Sequence, residues 1–123
     1  STRVLVQTGD DVMVGGFILA GGTDGATIVV RAIGPSLTPF GISNALADPT
    51  LELHDGSGTL IQSNDNWKDV ADQADELSAL GIAPSDDLES AIVTTLPPGA
   101  YTAIVAGKDA GIGVGLIEIY NLP

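Results

Sequence analysis

Short apolar runs rich in β-branched residues recur along this chain, and each run ends at glycine, proline, aspartate or asparagine. Such runs predict β-strands, and the residues between them predict turns. The pairs Asp24-Gly25 and Asp55-Gly56 are typical of hairpin turns, because these residues tolerate positive φ angles. The pattern predicts eight strands, at residues 2–7, 12–20, 27–33, 50–54, 59–63, 90–96, 101–106 and 114–120.

One segment, residues 69–80, has the spacing of a helix. Its apolar residues recur on one helical face, at Val70, Ala71, Ala74, Leu77 and Leu80. Asn66, three residues before Asp69, is a start signal, and Gly81 is a stop signal. The pattern predicts one short surface helix that packs on the strands.

Many short strands with a single helix predict an all-β fold, an antiparallel β-sandwich of jelly-roll type, because a βαβ fold would need alternating helices. The proline-containing segment 36–49 predicts a crossover between the two sheets. Residues 12–19 and 28–30 are apolar at nearly successive positions, so both faces of these strands are expected to be covered. The length of 123 residues predicts a single domain spanning residues 1–123.

The charge of the chain limits its partners. Sixteen acidic and four basic residues give a net charge of −12, which would repel nucleic acid and anionic membranes. No apolar run approaches the roughly 18 residues of a membrane span. We therefore expect neither nucleic-acid binding nor membrane insertion, and cations are the natural counterparts.

The inventory of reactive side chains argues against catalysis. The chain has no cysteine and one histidine, His54, and none of its serines lies in a G-x-S-x-G elbow. Paired carboxylates are present, but five aromatic residues are too few to line the sugar cleft of a glycosidase. We expect no catalytic residue and no enzymatic activity.

Calcium is the cofactor that the sequence supports best, because oxygen-bearing side chains flank the predicted helix on both sides. The candidate ligands are Asn64, Asp65, Asp86, Asp87 and Glu89. Their spacing matches no EF-hand. In the alternative interpretation, residues 64–66 cap the helix and the acids are solvated in a loop.

Three side chains have distinct expected roles. Arg31 lies in an apolar strand, where an internal ion pair is favoured over an anion site. Trp67 either fills the space beneath the helix or lies exposed as a ligand-binding residue. Tyr101, after the Pro97-Pro98-Gly99 turn, is expected to bond nearby backbone through its hydroxyl.

Two stretches, LELHDGSGTLIQSND at 51–65 and LPPGAYTAIV at 96–105, resemble the bacterial pre-peptidase C-terminal domain. A wider pattern, with RAIGPSL at 31–37, ADPTL at 47–51, SNDNW at 63–67 and ESAI at 89–92, is similar to an uncharacterised repeat module of large secreted bacterial proteins. The resemblance implies a non-catalytic extracellular β-sandwich, sometimes holding calcium. The strands before residue 34 depart from the pre-peptidase pattern.

Two functions follow as hypotheses. The first is a secreted structural module that binds copies of itself, as a filament or surface-assembly subunit or in cell adhesion. Its first strand is apolar on both faces and could pair with a neighbouring sheet; the expected interface residues are Thr2, Val4, Leu5 and Val6. The alternative is a calcium-assisted module that binds polysaccharide through Trp67.

Overall fold

The structure is a computed structural model that describes residues 2–7, 12–20 and 25–122; for residues 2–7, 12, 13 and 110 it describes the backbone. The described residues form eight strands, and all eight predicted strands are found. Their bounds are β1 Thr2–Gln7, β2 Val12–Leu19, β3 Ala26–Ile33, β4 Pro49–Asp55, β5 Leu60–Asn64, β6 Ser90–Leu96, β7 Gly99–Gly107 and β8 Val114–Leu122.

The strands form two antiparallel four-stranded sheets, which confirms the predicted all-β sandwich. The first sheet has the order β1-β8-β3-β6 and the second has the order β2-β7-β4-β5. Contacts between the sheets place β1 against β2, and β6 against β4 and β5. The sandwich therefore has two lateral sides, the β1/β2 side and the β5/β6 side, each formed by the edge strands of both sheets.

The segment between β3 and β4 crosses from the first sheet to the second, as predicted. It contains a 3₁₀ turn over Pro35–Phe40. Leu46 is buried and donates its N–H to the Val114 carbonyl (2.7 Å), while Val114 donates to Asn44 (2.8 Å). These bonds fix the crossover against the start of β8.

The main core lies between the sheets and consists of inward-facing aliphatic side chains. Its fully buried members are Ile28, Val30, Ala32, Leu51, Leu53, Ile92, Ala103, Val105 and Ile117. A second cluster on the outer face of the first sheet contains Val29, Trp67, Leu77 and Ala91. This second cluster explains why residues 28–30 are buried on both faces, as their apolar run predicts.

The same expectation is wrong for β2. Val14 and Ile18 are 59% and 78% exposed, because they face outward from the second sheet, whereas the helix packs against β6 of the first sheet. An apolar strand face therefore remains in contact with solvent.

The predicted helix is found as α1, Ala71–Ala79, slightly shorter than residues 69–80. Val70 has extended angles (φ −111°, ψ 106°) and separates α1 from a 3₁₀ turn over Trp67–Asp69. Gly81 ends the helix region with a positive φ of 74°, as its stop signal predicts. No helix among residues 2–7, 12–20 and 25–122 has the length and apolar character needed to cross a membrane.

Candidate functional site

Glu89, which directly precedes β6, is a fully buried carboxylate with four hydrogen bonds. Its Oε2 accepts from the Gly34 and Ser36 N–H groups, both at 2.9 Å. Its Oε1 accepts from the Ser36 hydroxyl (2.6 Å) and the Asp86 N–H (3.2 Å). A carboxylate offers about four acceptor sites, so these bonds use them. Glu89 therefore joins the end of β3 to the loop before β6 and is not free to bind calcium.

The turn that donates to Glu89 requires glycine at position 34. A Cβ at Gly34 would lie 2.1 Å from the Leu46 carbonyl oxygen and 3.3 Å from Pro49 Cδ. The crossover segment therefore packs directly against the main chain of Gly34. This close approach positions the Gly34 and Ser36 N–H groups on the carboxylate.

The predicted calcium ligands do not form one coordination sphere. Asn64 accepts a backbone N–H of β6 at 3.0 Å, and Asp86 accepts a backbone N–H of its own loop at 2.9 Å. Asp87 pairs with Lys68 at 2.8 Å and is largely exposed. Within the described part of the chain, no three His, Cys, Asp or Glu side chains group as metal ligands. The five predicted residues are thus distributed among separate structural contacts.

Asp65 instead lies beside Asp48, a residue outside the predicted set of calcium ligands. Lys108 contacts Asp65 Oδ2 through its ammonium group (2.6 Å) and donates its backbone N–H to the Asp48 carbonyl (2.8 Å). The Oδ1 atoms of Asp48 and Asp65 are buried without a hydrogen bond. Burial, followed by the charge of Asp65, raises the pKa of Asp48 above 3.8. The site therefore holds negative charge that its own donors do not fully compensate.

Asn66 adds a third unbonded oxygen next to this pair in sequence. The Asp69 N–H goes to the Asn66 main-chain carbonyl at 2.9 Å, and Asn66 Oδ1 is buried with no hydrogen bond. The predicted link to Asp69 does form through the backbone, because the Asn66 N–H donates to the Asp69 carboxylate (3.3 Å). The Asn66 and Asp69 side chains occupy the two positions of a capping box.

Trp67 fills the space beneath the helix. Its ring is 8% exposed in the second apolar cluster, and its Nε1 donates to the Asp86 carbonyl at 3.1 Å. The Lys68 ammonium lies 5.3 Å from the ring centroid. A buried, hydrogen-bonded indole offers no open face to a sugar, so the ligand-binding interpretation of Trp67 has no support in the geometry.

Arg31 and Glu118 form the internal ion pair that the sequence favours. Arg31 Nε lies 3.1 Å from Glu118 Oε1, and Nη1 donates to the Ile82 carbonyl at 3.0 Å. The guanidinium also lies 5.4 Å from the Tyr120 ring centroid. Tyr101 likewise has its expected role, because its hydroxyl donates to the Pro97 carbonyl at 2.6 Å.

His54 belongs to the β4–β5 hairpin. Its Nε2 lies 2.8 Å from Glu52 Oε1, and its Nδ1 lies 3.1 Å from the Gly58 carbonyl. The hydrogen bond with Glu52, then that with Gly58, raises the pKa of His54 above 6.5. A shallow hollow beside it is lined by His54, Asp55, Gly56, Gly58, Ala100, Thr102 and Ile104, with neither serine nor cysteine among these described residues.

The two lateral sides differ in how their edge strands are covered. On the β5/β6 side, two backbone N–H groups of β6 are bonded by side chains. The Ala91 N–H donates to Asn64 Oδ1 (3.0 Å), and the Val93 N–H donates to Gln73 Oε1 (2.8 Å). Gln73 lies on α1, so the helix covers this edge as well as the second apolar cluster.

On the β1/β2 side, the two edge strands contain no acidic residue and no proline, and β2 contains no charge. The predicted interface residues lie on β1, which pairs with β8 of its own chain. Thr2, Val4, Leu5 and Val6 stand opposite Ile119, Ile117, Leu116 and Gly115. In the described residues, β1 and β2 are each the last strand of their sheet. Each therefore has one paired and one outward edge.

Comparison with known proteins shows the fold. The chain is similar to the crystal structure of the pre-peptidase C-terminal domain of collagenase from Bacillus anthracis, with a TM-score of 0.55 and 16% sequence identity. The similarity covers 97% of this chain and 86% of that one. No protein-family model and no curated protein matches the sequence. The fold implied by the resemblance in residues 51–65 and 96–105 is therefore confirmed. The strands before residue 34, which depart from the pre-peptidase pattern in sequence, fall within the 97% of the chain that the similar structure covers.

Replacing Glu89 by glutamine tests its structural role. Glu89→Gln replaces one acceptor oxygen by an amide donor and removes the charge from a site with four donors. Because buried hydrogen bonds to charged groups contribute about 1.5–3 kcal/mol each, we expect the free energy of unfolding in urea to fall by about 2–3 kcal/mol.

The matched control is Asp87→Asn, at a carboxylate that is 73% exposed; it should change stability by less than about 0.5 kcal/mol. Equal effects of the two substitutions would contradict the role assigned to Glu89.

Proposed function

We propose that this chain is a non-catalytic extracellular module that associates with copies of itself through its β1/β2 side. The observation that carries the proposal is the difference between the two lateral sides. Asn64 and Gln73 bond the outer edge of β6, whereas β1 and β2 each end a sheet and no helix packs on them in the described residues. An edge strand presents unpaired backbone groups that another strand can bind, unless charge, proline or a covering element prevents it.

Charge favours this side over the β5/β6 side. Two copies that each carry a net charge of −12 repel one another at most orientations. Eight of the acidic residues lie in residues 65–89, the segment that joins β5 to β6, whereas β2 carries no charge and exposes Val14 and Ile18. Approach along β2 therefore adds apolar contact with less repulsion than approach along the β5/β6 side.

Gly16, between these two residues, has no evident internal requirement. A Cβ there would meet nothing closer than the Tyr101 carbonyl oxygen at 3.9 Å. Glycine inside a strand weakens it, and it often marks the close approach of another backbone. At the neighbouring Gly15, by contrast, a Cβ would lie 3.3 Å from Ile117. The missing side chain of Gly16 leaves space on the outer face of β2 for a large side chain of an added strand.

The extracellular location and accessory role rest on the resemblance and on the fold. The similar structure is a domain of a collagenase, that is, a unit within a larger enzyme. We carry over the accessory role alone, and not the binding properties of that protein. The hollow beside His54 agrees with this choice, since neither serine nor cysteine is among its described lining residues.

Polysaccharide binding has weaker support. Four of the five aromatic rings are engaged with their own chain, since Trp67 is buried, Phe17 stacks on Tyr101 and Tyr120 faces Arg31. Phe40 alone is strongly exposed, at 83%. A sugar platform usually needs more than one such ring, so polysaccharide remains a prediction from the sequence.

A charge on the outer face of β2 tests self-association. Ile18→Lys places an ammonium group where an added strand would pack, so the weight-average mass in light scattering should fall to that of one chain. The matched control is Thr95→Lys, at an exposed position near the end of β6 on the β5/β6 side. It should leave the assembly intact. A wild-type mass of one chain at millimolar concentration would refute the proposal.

A second proposal is a calcium site at Asp48 and Asp65. It is supported by the two buried carboxylate oxygens, one on each residue, that accept no hydrogen bond, and by the burial and the charge of Asp65 that raise the pKa of Asp48. Calcium prefers such hard oxygen ligands, carboxylate and amide carbonyl alike. When bound, the ion would supply positive charge between the two carboxylates beside Lys108. This site replaces the predicted set, of which it retains Asp65.

The response of Tm to calcium distinguishes a calcium site from an uncompensated pair of carboxylates. Because the pKa of Asp48 is raised in the folded state, stability without calcium falls as pH rises from about 3.8 through the raised value. Asp48→Asn should therefore raise Tm at pH 7 in chelator. Calcium at ten times its dissociation constant should stabilise the wild type by about 1.4 kcal/mol and leave Asp48→Asn unchanged. A wild-type Tm indifferent to calcium would exclude the site.

A further inference from the structure

The side-chain bonds on β6 act on alternate residues of one edge. Ala91 and Val93 stand opposite Arg31 and Val29 of β3, yet their N–H groups donate to Asn64 and Gln73. Because N–H groups two residues apart point to the same side of a strand, both groups face away from β3. They are two of the groups that an added strand would bind, and both are already bonded.

The other edge strand on this side, β5, is poorly suited to extension. It has five residues, and its register with β4 shifts between Leu53 and His54. Short edge strands and irregular pairing both limit the addition of further strands. The whole β5/β6 side is thus closed by local structure, whereas β2 is an eight-residue strand without a register shift against β7.

This asymmetry determines which assemblies strand addition can form. A filament built by extending sheets needs two different open edges on each chain, so that one copy's first edge meets the next copy's second edge. A chain with one open side can still pair with itself, since two identical edges meet about a two-fold axis. Because β1 lies beside β2 on the same lateral side, such a pair places both outward edges at the interface and leaves no open side for a third copy.

On the basis of the proposed self-association, we infer that the chain forms a closed pair. In this pair, β2 of one copy adds antiparallel to β2 of the other. The hydrogen bonds of Asn64 and Gln73 to β6 prevent growth from the opposite side. The partner is therefore a second copy of this chain, bound through the edge of the second sheet.

The first experiment is a concentration series of the wild type by light scattering. A closed pair gives a mass that plateaus at two chains, which supports the inference. Mass that keeps growing with concentration overturns the closure while leaving self-association standing. A single chain at every concentration overturns both this inference and the proposed function, so the two failures are distinguishable.

The second experiment changes Gln73. Gln73→Met keeps a similar side-chain length but removes the acceptor oxygen, and Gln73→Glu keeps an acceptor. We expect Gln73→Met to raise the hydrogen-exchange rate of the Val93 amide at least tenfold and to form species larger than a pair. Gln73→Glu should remain a pair with a slowly exchanging Val93 amide.

A Gln73→Met protein that stays a pair would overturn the role assigned to this hydrogen bond. Asn64→Leu provides a second variant, because it removes the acceptor for Ala91 and leaves α1 untouched. Circular dichroism at the concentrations used verifies that each variant is folded. If Gln73→Met does not fold, the wild-type series and Asn64→Leu decide the inference.

Discussion

An open β-sandwich must satisfy the outward N–H and C=O groups of its edge strands, and this constraint organises the molecule. On the β5/β6 side, Asn64 and Gln73 bond the edge of β6, and Gln73 requires a helix placed against that edge. The position of α1 is therefore linked to edge protection as well as to the burial of Trp67 and Leu77. On the β1/β2 side, no helix covers the described strands. The outward N–H and C=O groups of β1 and β2 therefore need other partners, such as water or another strand.

The buried carboxylate of Glu89 fixes the relative positions of the elements on the β5/β6 side. It fixes the end of β3 and the loop that precedes β6 through bonds to Gly34, Ser36 and Asp86. The same loop provides the carbonyl that holds Trp67, beneath the helix that carries Gln73. Since an unpaired buried charge is costly, all four donors must be in place together. The positions of the helix, the crossover and the edge bond are thus coupled through one side chain.

The sequence allowed the elements of the fold to be predicted, because strand periodicity and turn residues are local signals. The crossover, the Arg31 ion pair and the Tyr101 bond were also predictable, since each follows from a residue type in an apolar setting. The hydrogen-bond partners of the acidic side chains were not predictable, because proximity along the chain does not reveal a partner such as Gly34 for Glu89. Exposure of Val14 and Ile18 was missed for a related reason: an apolar run does not show which sheet face a helix will cover.

On the β5/β6 side, charge and hydrogen bonding would both oppose the addition of a strand from another chain. Eight of the 16 acidic residues lie in residues 65–89, the segment that joins β5 to β6. A copy approaching this side would meet that negative charge before it reached the edge strands. The side-chain bonds to β6 act only at contact, whereas the charge acts over about 8 Å at physiological salt. High salt would therefore remove the longer-range barrier and leave the bonds of Asn64 and Gln73 as the remaining obstacle to strand addition. In the proposed pair, the preference for β2 would then depend on the folded edge and not on net charge alone.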